Sequence, residues 1–196
     1  MSLAALPKIA ANSRDAKEAN IKDFVGYELA KHAGSAAGPA ASVYSLVARA
    51  PDSPVVRAVT SMSTIIAQAG ISIRVVLLDT YNAAEDHAAA SLSDLSACDV
   101  RVLSDARFAA AHEQLVLSPS RLWIGDCMRR DPAKRDAFEI YHDGDTIAAG
   151  HASASFAKLW AVAKPVTHLL TASVSTDVIV AGQAETSAEQ RHTNRG

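Results

Sequence analysis

The stretch 112–139, HEQLVLSPSRLWIGDCMRRDPAKRDAFE, decides how this chain is read. Residues 114–117 and 121–125 are short apolar runs on either side of Ser118-Pro119-Ser120, the pattern of a hairpin. A polar loop follows, and residues 137–142 (AFEIYH) read as a further strand. His112 opens the first strand, so its side chain belongs at a sheet edge or in a crevice at a strand end. Such crevices are where α/β sheets bind ligands. A lone histidine is more often structural than catalytic, and His112 becomes a candidate only in company. Glu139 lies in an apolar strand between Phe138 and Ile140. Its carboxylate either faces solvent by alternation or is buried with a partner. If it is buried, histidine is a natural partner, because a carboxylate orients an imidazole and raises its basicity.

The loop carries Arg129, Arg130, Lys134 and Arg135 among Asp126, Asp131 and Asp136. Its plain reading is a solvated, self-neutralising loop, since exposed ion pairs contribute little. The sharper reading turns Arg129 or Arg130 inward to bind phosphate or carboxylate through the guanidinium fork.

Upstream, the sequence reads as a helix over 13–32 capped by Ser13, a strand at 42–48, a helix over 54–69 and a strand at 71–78. Pro54 suits a first helical position, and Val55, Val56, Val59, Met62, Ile65 and Ile66 form an apolar face. Gly70 suits a left-handed stop. The strand–helix–strand order predicts a right-handed crossover and a parallel pair. Further helices are expected over 81–94 and 152–163, a helical turn at 105–110, strands at 99–103 and 177–181, and a turn at Gly144. Trp160 falls on the core face of its helix, whereas Trp123 is free to face either way. The predicted class is α/β, a mixed and mostly parallel sheet flanked by helices. Residues 1–12 read as a flexible arm, 13–182 as one domain and 183–196 as a polar, disordered tail.

Composition bounds the function. A length of 196 residues, 49% of them hydrophobic, is enough for one domain with a sizeable core. A net charge of −2 gives no general attraction to nucleic acid or anionic membranes. Cys98 and Cys127 have no metal spacing and cannot make a disulfide framework; the plain reading is two packed thiols. His142 and His151 fit no metal pattern either, so neither metal nor cofactor is expected. No secretory signal or membrane-length apolar run is found, and a cytoplasmic location is expected.

The order of these features resembles the phospholipase D superfamily. Its members carry a histidine, any residue and a lysine, then four residues and an aspartate. A strand then leads to glycine-serine-any-asparagine, with a glutamate eleven positions after that asparagine. Here His112 takes the histidine place, Gly125 the glycine place, Met128 the asparagine place and Glu139 the glutamate place. The helix after Ser53-Pro54, the phrase GISIRVVLLD and the helix FAKLWAVAKPV extend the likeness over 42–166. The resemblance implies a phospholipase D-like fold with His112 and Glu139 as catalytic candidates. It also implies departures. Gln114 replaces the lysine, Pro119 or Ser118 the aspartate, Asp126 the serine and Met128 the asparagine. Lysine and asparagine hold phosphoryl oxygens in the family, and Asp126 beside such a site would repel an anion. A degenerate domain acting as a binding or regulatory module is therefore the leading expectation. Anion-binding candidates are Gln114, Arg129 and Arg130, and the possible ligand contains phosphate. One motif copy implies a homodimer that brings two His112 side chains together, with an unidentified protein partner in a regulatory role. An active phosphodiesterase using His112 as nucleophile is the alternative. A third reading, Cys127 as a nucleophile beside His112, rests on their placement on neighbouring strands.

Overall fold

Helix α1 (Arg14–Ala33) begins where Ser13 Oγ accepts the Ala16 N–H at 3.2 Å, satisfying a donor of the first turn. It is the first element of a computed structural model that describes residues 13–33, 42–78, 97–105, 107, 111–127 and 138–166. Its buried residues, Lys17, Ile21, Phe24, Val25, Glu28 and Leu29, recur at steps of three and four and make one stripe.

Strand β1 (Val43–Ala48) leads through α2 (Pro54–Ser61) and α3 (Ser63–Gln68) into β2 (Ser72–Leu78). The two strands pair in parallel, as the crossover predicted, with Val43 opposite Ser72 and Ala48 opposite Leu77. The single helix expected over 54–69 is two helices, because the backbone turns at Met62 to φ −104° and ψ 1°. The turn resets the helical phase. Ile66 is buried, but Ile65, expected on the same face, is 55% exposed. Gly70 adopts φ +73°, the left-handed stop.

Strand β3 (Asp99–Leu103) adds in parallel to β2. On the other side of β1, β4 (His112–Ser118) and β5 (Arg121–Cys127) form the expected hairpin around Pro119 and Ser120. Strand β6 (Ile140–Asp143) pairs with β5 and starts later than the expected residue 137. Gly144, at φ +85°, turns the chain toward α4 (Thr146–Val162). Asp145 Oδ1 caps that helix by accepting the Ala148 N–H at 2.9 Å. The helix starts well before residue 152, since its first two turns, rich in alanine and glycine, carry too little apolar contrast to show in sequence. A two-residue strand, β7 (Lys164–Pro165), completes the order β6-β5-β4-β1-β2-β3-β7. The sheet is mixed. Strands β1, β2 and β3 pair in parallel, while β4 pairs antiparallel with β1 and β5, and β5 with β6.

Helices α1 and α2 cover one face of the sheet around Tyr44, Leu46, Val75, Leu115 and Trp123. Helix α4 covers the other face, where Phe156 and Leu159 meet Val47, Val76 and Leu103, and Ala149 and Ala152 meet Val116 and Leu122. Strands covered on both faces need continuous apolar runs, which explains the unbroken burial of Val75–Leu78.

The chain divides into two units, 1–164 and 165–196, and Pro165 and Val166 are the described residues of the second. The expected helix over 81–94, the strand at 177–181, the arm, the tail and the domain end at 182 lie outside the described residues. The expected turn at 105–110 is described only at Asp105 and Arg107. No helix among the described residues is long and apolar enough to cross a membrane.

Candidate functional site

The β4–β5 ladder pairs His112 with Cys127 and Gln114 with Ile124. Two steps along β4 therefore match three along β5, and the extra residue is a bulge at Gly125–Asp126 opposite Glu113. The bulge lets Trp123 and Asp126, three residues apart, both bury; strict alternation would send them to opposite faces. A Cβ on Gly125 would overlap the Trp123 ring, so only glycine fits there.

His112 is exposed at the end of β4, with Nδ1 2.9 Å from the Gly125 carbonyl oxygen. That contact assigns the proton to Nδ1, which donates, and leaves the Nε2 lone pair available to a ligand. The Phe138 ring lies alongside, its centroid 6.1 Å from that of His112.

Glu139 is buried but does not meet His112. Its carboxylate accepts from Asn20 Nδ2 at 3.2 Å, Trp123 Nε1 at 3.4 Å and Tyr141 Oη at 2.9 Å. The expected histidine–carboxylate pairing is replaced by a histidine–carbonyl contact, and Glu139 ties α1 to β5 and β6. Burial, and then the Glu139 charge, hold the Tyr141 phenol well above the usual tyrosine range.

Gln114 is half-buried, and its amide donates to the Ala152 carbonyl of α4 at 3.1 Å. Arg129, Arg130 and Met128 lie outside the described residues. Asp126, expected to face an anion site, is fully buried. Its Oδ2 is 3.4 Å from Lys17 Nζ and 3.4 Å from the Phe138 N–H nitrogen. Cys127 stands opposite His112 in register, while Cys98 precedes β3; neither is in a disulfide. Burial pushes the Cys98 thiol up to about 11. Trp123 is in the core, and Trp160 is half-buried, stacked on Phe156 with the Arg101 guanidinium 4.2 Å from its centroid. Among the described residues, no group of three or more His, Cys, Asp or Glu side chains could hold a metal ion.

Sequence reasoning missed three buried charges here. Lys17 sits one turn before Ile21 on the apolar stripe of α1, and a lysine on such a stripe signals a buried partner. Glu113 is fully buried and accepts the Arg49 N–H at 3.0 Å and the Ser53 hydroxyl at 2.7 Å. Ser53, at the N-cap of α2, makes no side-chain cap hydrogen bond because its hydroxyl is drawn to β4. Arg49, just past β1, is buried too.

This sheet order, with the hairpin and its bulge at the end of β4, is a phospholipase D-like fold. The structure is similar to the phospholipase D family member Nuc from Salmonella typhimurium, at 10% identity and TM-score 0.50, over 81% of this chain and 97% of that one. It is also similar to NucT from Helicobacter pylori, at 10% identity and TM-score 0.49, over 81% of this chain and 98% of that one. A further similar structure is TrmBL2, an archaeal chromatin protein with a novel mode of DNA binding, at 12% identity and TM-score 0.47. This chain spans about half of TrmBL2: the match covers 81% of this chain and 53% of that one. No family model and no curated protein sequence matches the chain.

Proposed function

We propose that this chain is a phospholipase D-like domain whose phosphoryl-transfer site has become a binding or regulatory site, working as a cytoplasmic homodimer. The observation that carries this is Gln114. It stands where the resemblance places a lysine, and its amide is engaged with Ala152 of α4. Phosphoryl transfer depends on positive charge around the transferred oxygens. Losing one such donor typically costs ~100–1000-fold in rate. Glu139 supports the same reading, because its hydrogen bonds go to Asn20, Trp123 and Tyr141. The Gly125 carbonyl fixes the His112 ring but carries no charge to offset an imidazolium. A single motif copy is consistent with a two-fold assembly, the commonest kind of oligomer.

The test is turnover of bis(p-nitrophenyl) phosphate by the full chain and by His112→Ala, with sedimentation to give the assembly state. We expect a dimer and no turnover above the His112→Ala background. His112-dependent turnover would overturn the proposal. It would instead support a phosphodiesterase with His112 as nucleophile and Arg129 or Arg130 in place of the lysine. One observation favours that second reading: the Gly125 contact leaves Nε2 available for attack.

A further inference from the structure

Ser45, Leu46 and Val47 pair with Val116, Leu115 and Gln114 across the antiparallel β1–β4 ladder. Continued two residues, the same register brings Arg49 opposite His112. Alternation agrees. Val47 packs in the core beneath α4 and Gln114 reaches Ala152 of α4, so Arg49 and His112 belong to that same side. Cys127 follows on the next strand, opposite His112. Arg49 thus stands at the carboxyl end of a parallel strand, beside His112, where open α/β sheets bind ligands.

Two of its three guanidinium nitrogens have no hydrogen-bond partner among the described residues. The residue is 8% exposed, and Nε and Nη2 are buried without a hydrogen-bond acceptor. A buried cation with idle donors is unfavourable unless something supplies acceptors. Glu113 does not supply them. Its Oε1 takes the Arg49 backbone N–H and the Ser53 hydroxyl, and its Oε2 has no hydrogen-bond partner of its own. No ion pair joins the two side chains among the described residues.

We propose that Arg49 supplies the cation at the His112 end of β4 and binds a tetrahedral oxyanion, a phosphate or phosphate ester, beside the His112 ring. The charge absent from β4 at Gln114 is then restored from the neighbouring strand. A guanidinium suits this role, because its fork presents parallel N–H groups to two oxygens of one anion. The inference rests on reading the His112 crevice as a ligand site.

The experiment titrates the full chain with tungstate, inorganic phosphate and dimethyl phosphate by calorimetry, and follows the His112 ring by NMR. One anion per protomer should bind and move the His112 signals. Arg49→Gln should weaken binding by about tenfold or more, and Arg49→Lys should fall between it and the parent. Tighter binding of dimethyl phosphate assigns the site to an ester, and tighter binding of inorganic phosphate to the free ion; both support the proposal. Three results overturn it: no anion binding, binding that Arg49→Gln leaves unchanged, or binding that leaves His112 unmoved. If Arg49→Gln does not fold, crystals of the parent soaked in tungstate decide. The anion must lie within hydrogen-bond reach of Arg49 and in contact with the His112 ring, and a site elsewhere refutes the assignment. The two proposals fail separately. His112-dependent turnover removes the non-enzymatic reading and leaves Arg49 in place, whereas absence of both turnover and anion binding removes Arg49 alone.

Discussion

Lys17 Nζ lies 3.4 Å from Asp126 Oδ2, and both side chains are buried where α1 crosses the end of β5. Lys17 also donates to the Phe138 carbonyl at 3.0 Å, so one ammonium joins the helix to both ends of the loop between β5 and β6. Removing one member of a buried pair leaves the other charge uncompensated, at a cost of ~3–5 kcal/mol. Lys17→Met should therefore destabilise the fold by about that much in urea unfolding. The double variant Lys17→Met with Asp126→Leu should recover most of the loss, since replacing a whole pair by apolar groups is often near neutral. A double variant no more stable than Lys17→Met would show that Asp126 is held chiefly by other contacts.

Glu139 has the partners of a structural carboxylate. Glu139→Gln keeps the shape but turns one oxygen into a donor facing groups that themselves donate, at a cost of roughly 1–3 kcal/mol. We expect the melting temperature to fall while anion binding at the His112 crevice stays within about twofold, well inside the effect of a lost charged contact. Loss of anion binding with unchanged stability would instead link Glu139 to His112.

Gly125→Ala drives a methyl group into the Trp123 ring. Trp123 is fully buried and donates to Glu139, so it cannot swing aside without breaking that contact. Overpacking of this kind costs about 1–3 kcal/mol. The variant should melt earlier, with an altered tryptophan emission maximum. An unchanged melting curve and spectrum would show that the bulge yields without strain.

Asp145 carries a pH dependence. The Ala148 N–H hydrogen bond is the main cause that holds its carboxyl below the ordinary aspartate value, and His142 adds to it. A carboxyl depressed by folding contributes stability that is complete above its unfolded value and lost as pH falls through its folded value. Stability should therefore decline on acidification below about pH 4, the unfolded range for aspartate. Asp145→Asn retains a capping oxygen but does not titrate, so its curve should be flatter there. The side chain is largely solvated, and the effect should shrink with added salt. Parallel curves for parent and variant would assign the acid sensitivity to other groups.

The elements that sequence revealed are those whose signal is local. Pro54 and Gly70 punctuate the helical segment between β1 and β2, and the apolar runs of β1 and β2 mark strands covered on both faces. The hairpin around Pro119 was legible for the same reason. Boundaries failed where the signal weakens, as at Met62 inside an apolar face and at the alanine-rich start of α4. His112 and Gln114 were found through their place in a motif. Arg49 carries no local mark, being one cation between two alanines after a strand.

By itself, then, the sequence determined the α/β alternation, the parallel crossover and the placement of His112 at a strand end. Periodicity and turn chemistry act over a few residues and can be read along the chain. Only the tertiary structure decided where the buried charges go: Lys17 to Asp126, and Glu139 to Asn20 and Trp123. These pairings join residues separated by 16 to 119 positions in the chain. They depend on strand order and on a one-residue bulge, which the hydrophobic pattern does not encode.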